Sequence, residues 1–158
     1  MELPKRYDAK IIEEKWQRYW EKNKLFRFDS ANKNPIYSID TPPPTVSGNL
    51  HIGHAFSFSL QDFIARYKRM NGYNVFYPFG TDDNGVATER MIEKLKNVKS
   101  RDLGRQKFVK LCLNSLDAGI RTDYLNKFKE IGISCDWGLF YTTINNHCQK
   151  ISQRSFID

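Results

Sequence analysis

Residues 41–54 read TPPPTVSGNLHIGH, so two of the chain's 3 histidines, His51 and His54, stand three positions apart at the end of a proline- and glycine-bearing stretch. A neutral or charged imidazole can present an N–H to an oxyanion. Where a loop enters a helix, two such donors join the helix's own free N–H groups and the positive end of its dipole. That combination suits a phosphate, above all the α-phosphate of a nucleotide on which charge builds as a nucleophile attacks. One well-aimed donor of this kind lowers an acyl-transfer barrier by ~3 kcal/mol, which sets the scale. A bare HxxH is more simply a pair of helix-capping histidines, but the preceding strand, the PPP run, the glycines and the following helix overturn that in favour of the phosphate. Gly48 and Gly53 lack the β-carbon that would hold a planar base or a phosphate away from the backbone.

A second stretch, FGTDDNG at 79–85, carries Asp82 and Asp83. Its composition is that of a turn, and turn formation is the plainer use of both carboxylates. Ligands of open α/β sheets, however, bind beyond the carboxyl ends of adjacent parallel strands, and Asp82 falls at such an end. Asp83 is read as a turn or capping residue.

Placing these loops takes strand, helix and strand in order. Residues 36–39 read as a strand, and 54–71 as a helix with Phe56, Leu60, Phe63, Ile64 and Tyr67 on one face. Gly72 stops that helix, and 74–77 form a second strand closed by Pro78. This is a βαβ unit, whose strands are parallel and whose crossover is right-handed. Before it, Asp8 caps a helix running to about Lys22, with Ile12, Trp16, Tyr19 and Trp20 as a packing face. After it, helices are expected from Ala87 or Thr88, from a Ser100 cap, through Tyr124, Phe128 and Ile131 to Gly132, and from Asn145 or Asn146 onward. Only two parallel strands are evident, fewer than the five or six of a complete doubly wound sheet. The last helix meets no stop signal, so the chain reads as part of a larger fold.

The balance of 25 Lys+Arg against 18 Asp+Glu gives a net +7, compatible with a polyanionic partner but spread without a basic block. Cys112, Cys135 and Cys148 are odd in number and far apart, which fits reduced thiols better than disulfides or zinc, and no protein-bound metal is expected at His147–Cys148. No run approaches the ~20 apolar residues of a membrane span. A cytoplasmic location is expected.

The segment GNLHIGH, its continuation LQDFIARYKRMNGYNVFYPFGTDDNGVATE, and GISCDWGLFYTT near the end resemble the branched-aliphatic group of class I aminoacyl-tRNA synthetases over essentially the whole chain. Within that group, TPPPTVSG with GTDDNG is most similar to the valyl pattern, PPP-[NT]-V-[TS]-G with GTD, and less so to isoleucyl PPYANG or leucyl PYPSG. Thr45, where Asn is frequent, and Asp83-Asn84, where His-Ala is frequent, depart from the commonest valyl form.

The resemblance implies an α/β fold, with residues 1–35 a helical extension and 36–158 the N-terminal half of a Rossmann-like HIGH-type nucleotidyl transferase domain, ending near the family's editing insertion. It implies that Gly48, His51, Gly53 and His54 bind ATP, with His51 and His54 acting in catalysis on its α-phosphate. Asp82 would accept the ammonium of the amino acid, and Pro43, Pro44 and Thr45 would wall its pocket. Trp137 is read as a packing residue. ATP with Mg2+, valine and tRNA(Val) are the implied substrates, and the complete enzyme a monomer. The family's second, lysine-bearing KMSKS loop does not occur in this sequence. An isoleucine or leucine ligase is the alternative within the class. Outside it stand a non-catalytic nucleotide- or tRNA-binding module and one half of a split synthetase.

Overall fold

The computed structural model describes residues 6–157 of the chain; residues 1–5 of the expected extension and Asp158 lie outside that range. Asp8 caps helix α1 (Ala9–Lys22) as its position predicts, accepting the Ile11 N–H at 3.3 Å. Only half of the expected aromatic face packs. Ile12 and Trp20 are half-buried, Trp20 with its ring 5.5 Å from Phe26, whereas Trp16 and Tyr19 stay exposed and meet edge-on at the surface.

β1 (Ile36–Ser38) and β2 (Asn74–Phe76) pair in parallel, Ile36 opposite Asn74 and Ser38 opposite Phe76. Strand structure does not end at Pro78, as the sequence suggested. After Tyr77 it continues as β3 (Pro78–Thr81), which pairs in parallel with β4 (Asp136–Thr142). Proline breaks a ladder only on the side where its N–H would have donated. Here Tyr77 accepts the Asp136 N–H at 2.8 Å, so the new partner takes over beside the proline. The CDWGLFYTT segment thus supplies the parallel partner of β3, and the four strands form two two-stranded sheets, β1–β2 and β3–β4. The pairing shifts register between Pro78 and Gly80, where Tyr141 comes so close that a β-carbon on residue 80 would lie 2.3 Å from its ring.

Between β1 and β2 runs helix α2 (Ile52–Met70), starting two residues before the expected position. It presents Phe58, Asp62 and Ala65 to the interior. Phe56, Leu60, Phe63, Ile64 and Tyr67 do share a face, but that face is exposed, Phe56 at 65% and Phe63 at 64%. The buried line is partly polar because Asp62 accepts the Ser134 N–H at 2.6 Å at the approach to β4 and binds Arg66 at 2.6 Å on its own helix.

Helix α3 (Val86–Lys96) begins close to the expected point. Ser100 is the first residue of the short α4 (Ser100–Leu103) and not its cap; its N–H goes to Glu93 Oε1 at 2.7 Å. Then come α5 (Arg105–Ser115), a π-helical turn (Leu116–Ile120) kinked at Gly119, and α6 (Arg121–Ile131), which ends at a left-handed Gly132 as expected. Tyr124 and Phe128 of α6 are buried, but Ile131 is not. Helix α7 (Asn146–Ile157) is capped by Asn145, whose Oδ1 accepts the Cys148 N–H at 2.8 Å.

The core lies where α2 and α6 meet the central run β2–β3. Phe58, Phe79 and Phe128 pack with ring centroids 4.8–5.7 Å apart, and Trp137 adds its ring 5.1 Å from Phe79, in the packing role expected of it. Such pairs each contribute ~0.5–1.5 kcal/mol beyond the area they bury. The cluster holds the two loops at one end of the strands. Among the described residues the three cysteines are free, and no helix is long and apolar enough to cross a membrane.

Candidate active site

Because α2 starts at Ile52, His51 is its N-cap and His54 lies in its first turn. His51 Nδ1 accepts the Gly53 N–H at 3.1 Å, and His54 Nδ1 reaches back to the His51 N–H at 3.4 Å. The two rings are 4.0 Å apart between centroids. The capping arrangement weighed against phosphate binding is therefore present, and it leaves the other nitrogen of each ring uncommitted to the cap. A neutral imidazole whose Nδ1 accepts carries its proton on Nε2. Capping thus leaves each ring with an outward Nε2–H donor at the positive end of a 19-residue helix. Burial, and secondarily the neighbouring His51, lower the pKa of His54 and so favour its neutral form. Gly53 is required by the same contact: a β-carbon there would lie 2.9 Å from the His51 ring. At Gly48 a β-carbon would meet nothing of the chain within 4 Å, so the chain itself makes no demand for glycine there.

The loop before α2 is laced to the second loop. Thr45 and Asp82 form a parallel bridge, the Asp82 N–H reaching Pro44 O at 2.8 Å and the Val46 N–H reaching Asp82 O at 3.3 Å. This brings Pro44 and Thr45 beside Asp82; Pro43 and Pro44 are half-buried, whereas Thr45 is exposed. Lys127 of α6 tethers Asn49 at 3.1 Å.

The side chain of Asp82 is half-buried and accepts at Oδ1 from the Thr143 hydroxyl at 2.8 Å and the Asn84 N–H at 3.2 Å. Asp83 corrects the sequence reading. Far from being a plain turn residue, it is a buried carboxylate, bound by the Thr81 hydroxyl at 2.6 Å and gripped by Arg121 through Nε at 2.7 Å and Nη2 at 2.6 Å. Burial alone would lower the pKa of Arg121; its bonds to Asp117 and Asp83 outweigh that and hold it raised. Thr81, Arg121 and Thr143 were not singled out in the sequence. The only local sign was Asp117 one helical turn before Arg121, a spacing too common to mark a site.

The profile described as tRNA synthetases class I (I, L, M and V) matches residues 15–158. The chain belongs to the class I tRNA synthetases. Among relatives of this family, the valine–tRNA ligase of Rickettsia felis is 46% identical over 158 residues, covering 99% of this chain and 18% of its own length. That of Rickettsia prowazekii is likewise 46% identical, covering 99% of this chain and 19% of its own length. The chain therefore spans less than a fifth of the length of these class I relatives. Among solved structures, the agnB2 LeuRS of Agrobacterium radiobacter K84, in ternary complex with tRNA and LeuAMS, superposes with a TM-score of 0.74 over 97% of this chain and 18% of that one, at 24% identity. The α/β fold read from the βαβ unit is thus the class I synthetase fold.

Proposed function

We propose that this chain forms the nucleotide- and amino-acid-binding half-site of a valine–tRNA ligase. In this reading His51 and His54 donate Nε2–H to the oxygens of the ATP α-phosphate, while Gly53, and Gly48 with its open face, let the nucleotide lie against the backbone. Valine's carboxylate attacks the α-phosphorus and pyrophosphate leaves, with Mg2+ accompanying ATP as part of the substrate. Asp82 takes the ammonium in a charge-assisted bond, which directs the carboxylate toward ATP. Pro43, Pro44 and Thr45 wall the side-chain pocket. A terminal ribose hydroxyl of tRNA(Val) then attacks the carbonyl carbon of the adenylate, taking the valyl group as an ester and releasing AMP.

The observation that carries this reading is the reciprocal capping of His51 and His54, which turns both Nε2–H groups into free donors at the start of α2. The valine–tRNA ligases of two Rickettsia species, similar along the whole chain, favour valine over isoleucine or leucine. We take residues 1–35 as an extension and 36–158 as the first half of a cytoplasmic, monomeric enzyme's catalytic domain. The exposed face of α2 supports a half-site over a self-sufficient binding module, since apolar surface of that extent marks an interaction site.

The test is ATP–pyrophosphate exchange by this chain joined to a polypeptide bearing the lysine loop, with valine, isoleucine and leucine in turn. Exchange that depends on valine is expected; a pocket of this type separates substrates differing by one methylene by ~1–3 kcal/mol. Equal or better exchange with isoleucine or leucine would reject valine, and none with any of the three would reject the ligase.

A further inference from the structure

We propose that Thr143 is a positioning residue for the Asp82 carboxylate, holding one oxygen so that the other is presented to a ligand's ammonium. The proposal rests on the reading of Asp82 as the amino-acid acceptor.

The Thr143 hydroxyl has two partners. The Asp83 N–H approaches its oxygen at 3.3 Å, and Asp82 Oδ1 lies 2.8 Å away. An N–H can only donate, so the hydroxyl accepts from Asp83, and its single proton is left for the carboxylate. The rotor is thereby fixed. With the Asn84 N–H also on Oδ1 at 3.2 Å, every hydrogen bond to the Asp82 side chain among the described residues falls on that oxygen. Oδ2 is the oxygen left to meet a cation.

Thr143 is itself held. Its N–H goes to Thr81 O at 3.0 Å, extending the β3–β4 ladder one step past Thr142. Behind it, the buried Asp83 is clamped by Thr81 and by the two-pronged Arg121, which fixes the backbone N–H that orients the hydroxyl. The chain runs from a buried ion pair, through one backbone N–H and one hydroxyl, to a half-exposed carboxylate. It joins β3, β4 and α6 at the point where the bridge from Thr45 brings in the first loop.

The variants Thr143→Val, which keeps the shape and loses the donor, and Thr143→Ser, which keeps the donor, separate this role from packing. Labelled L-valine and ATP are each measured by equilibrium dialysis against this chain joined to the polypeptide that bears the lysine loop. Thr143→Val is expected to bind valine about tenfold more weakly, the equivalent of ~1.4 kcal/mol, with ATP affinity unchanged. Thr143→Ser should bind both as the parent does. Parent-like valine affinity in Thr143→Val would overturn the proposal, and so would a parallel loss of ATP, which marks general damage at the end of β4. If Thr143→Val does not fold, Thr143→Cys, a weaker donor, should fall between parent and tenfold loss; parent-like binding there overturns the role. A parent chain that binds ATP and no valine would instead sink the reading of Asp82, and this role with it.

Discussion

The two loops at the carboxyl end of the strands are built in opposite ways. The first is laced to its neighbours farther back, but its functional end, His51 and His54, holds itself: each histidine caps its own helix, and the bonds span two or three residues. It is exposed and carries donors. The second, around Asp82 and Asp83, is held from afar, by Arg121 at a separation of 38 residues and Thr143 at 61. It is buried at its root and carries acceptors. A site for an anion can be made from local backbone geometry, because a helix start already concentrates N–H groups. A fixed carboxylate has no such ready-made support, and the fold must bring a cation and a hydroxyl to it.

That contrast can be broken at several points. The largest effect is expected from Arg121→Met, which strands the Asp83 carboxylate, whose side chain is 0% exposed. Leaving one partner of a buried pair uncompensated costs ~3–5 kcal/mol, read as a drop in the urea midpoint. Combining it with Asp83→Leu should recover most of the loss. Recovery would separate the stability of the second loop from its charge; failure would mean that the pair does more than satisfy itself.

His54→Ala tests the first loop. In the longer polypeptide it should lower the rate of adenylate formation about 100-fold, the scale of one oxyanion donor, with little change in valine binding. Stability should fall far less than with Arg121→Met, since only one capping bond of a half-buried side chain is lost. A nearly normal rate would reduce His54 to a cap.

The smallest effect is a pH dependence. The folded-state pKa of His54 is below the ordinary 6.5, so the unfolded chain binds more protons than the folded one between the two values. The stabilising contribution is whole above pH 6.5, declines as pH falls through that value, and stops declining below the lowered folded pKa. His54→Gln should flatten this part of a melting-temperature profile, and an unchanged slope would assign it to other groups.

The same contrast explains what was legible in the sequence. The first loop could be read almost entirely, because strand, glycines, histidines and helix start lie within one short stretch; only the helix boundary was off, by two residues. For the second loop, Asp82 was legible from its place at a strand end, but Asp83 was taken for a turn because nothing near it announces Arg121. The strand β4 was missed for a related reason. It pairs only because β3 continues past Pro78, and a proline followed by turn-forming residues reads as an end. On α2 the period was correct, and periodicity shows that residues share a face without showing what covers it. In this chain the interior takes the other side, with Asp62, Arg66 and Arg69 reaching Gly132 and Ser134 on the approach to β4.

The uncovered stripe also governs how the chain behaves in solution. Ile52, Phe56, Phe63, Tyr67 and Met70 form a nearly continuous greasy seam along one helix, more than half of each side chain being in contact with water. Two such molecules gain by laying their seams together, and the gain grows with concentration. A dilute sample is therefore expected to bind more apolar dye per molecule than a concentrated one, and equal binding at both concentrations would show that the seam does not pair.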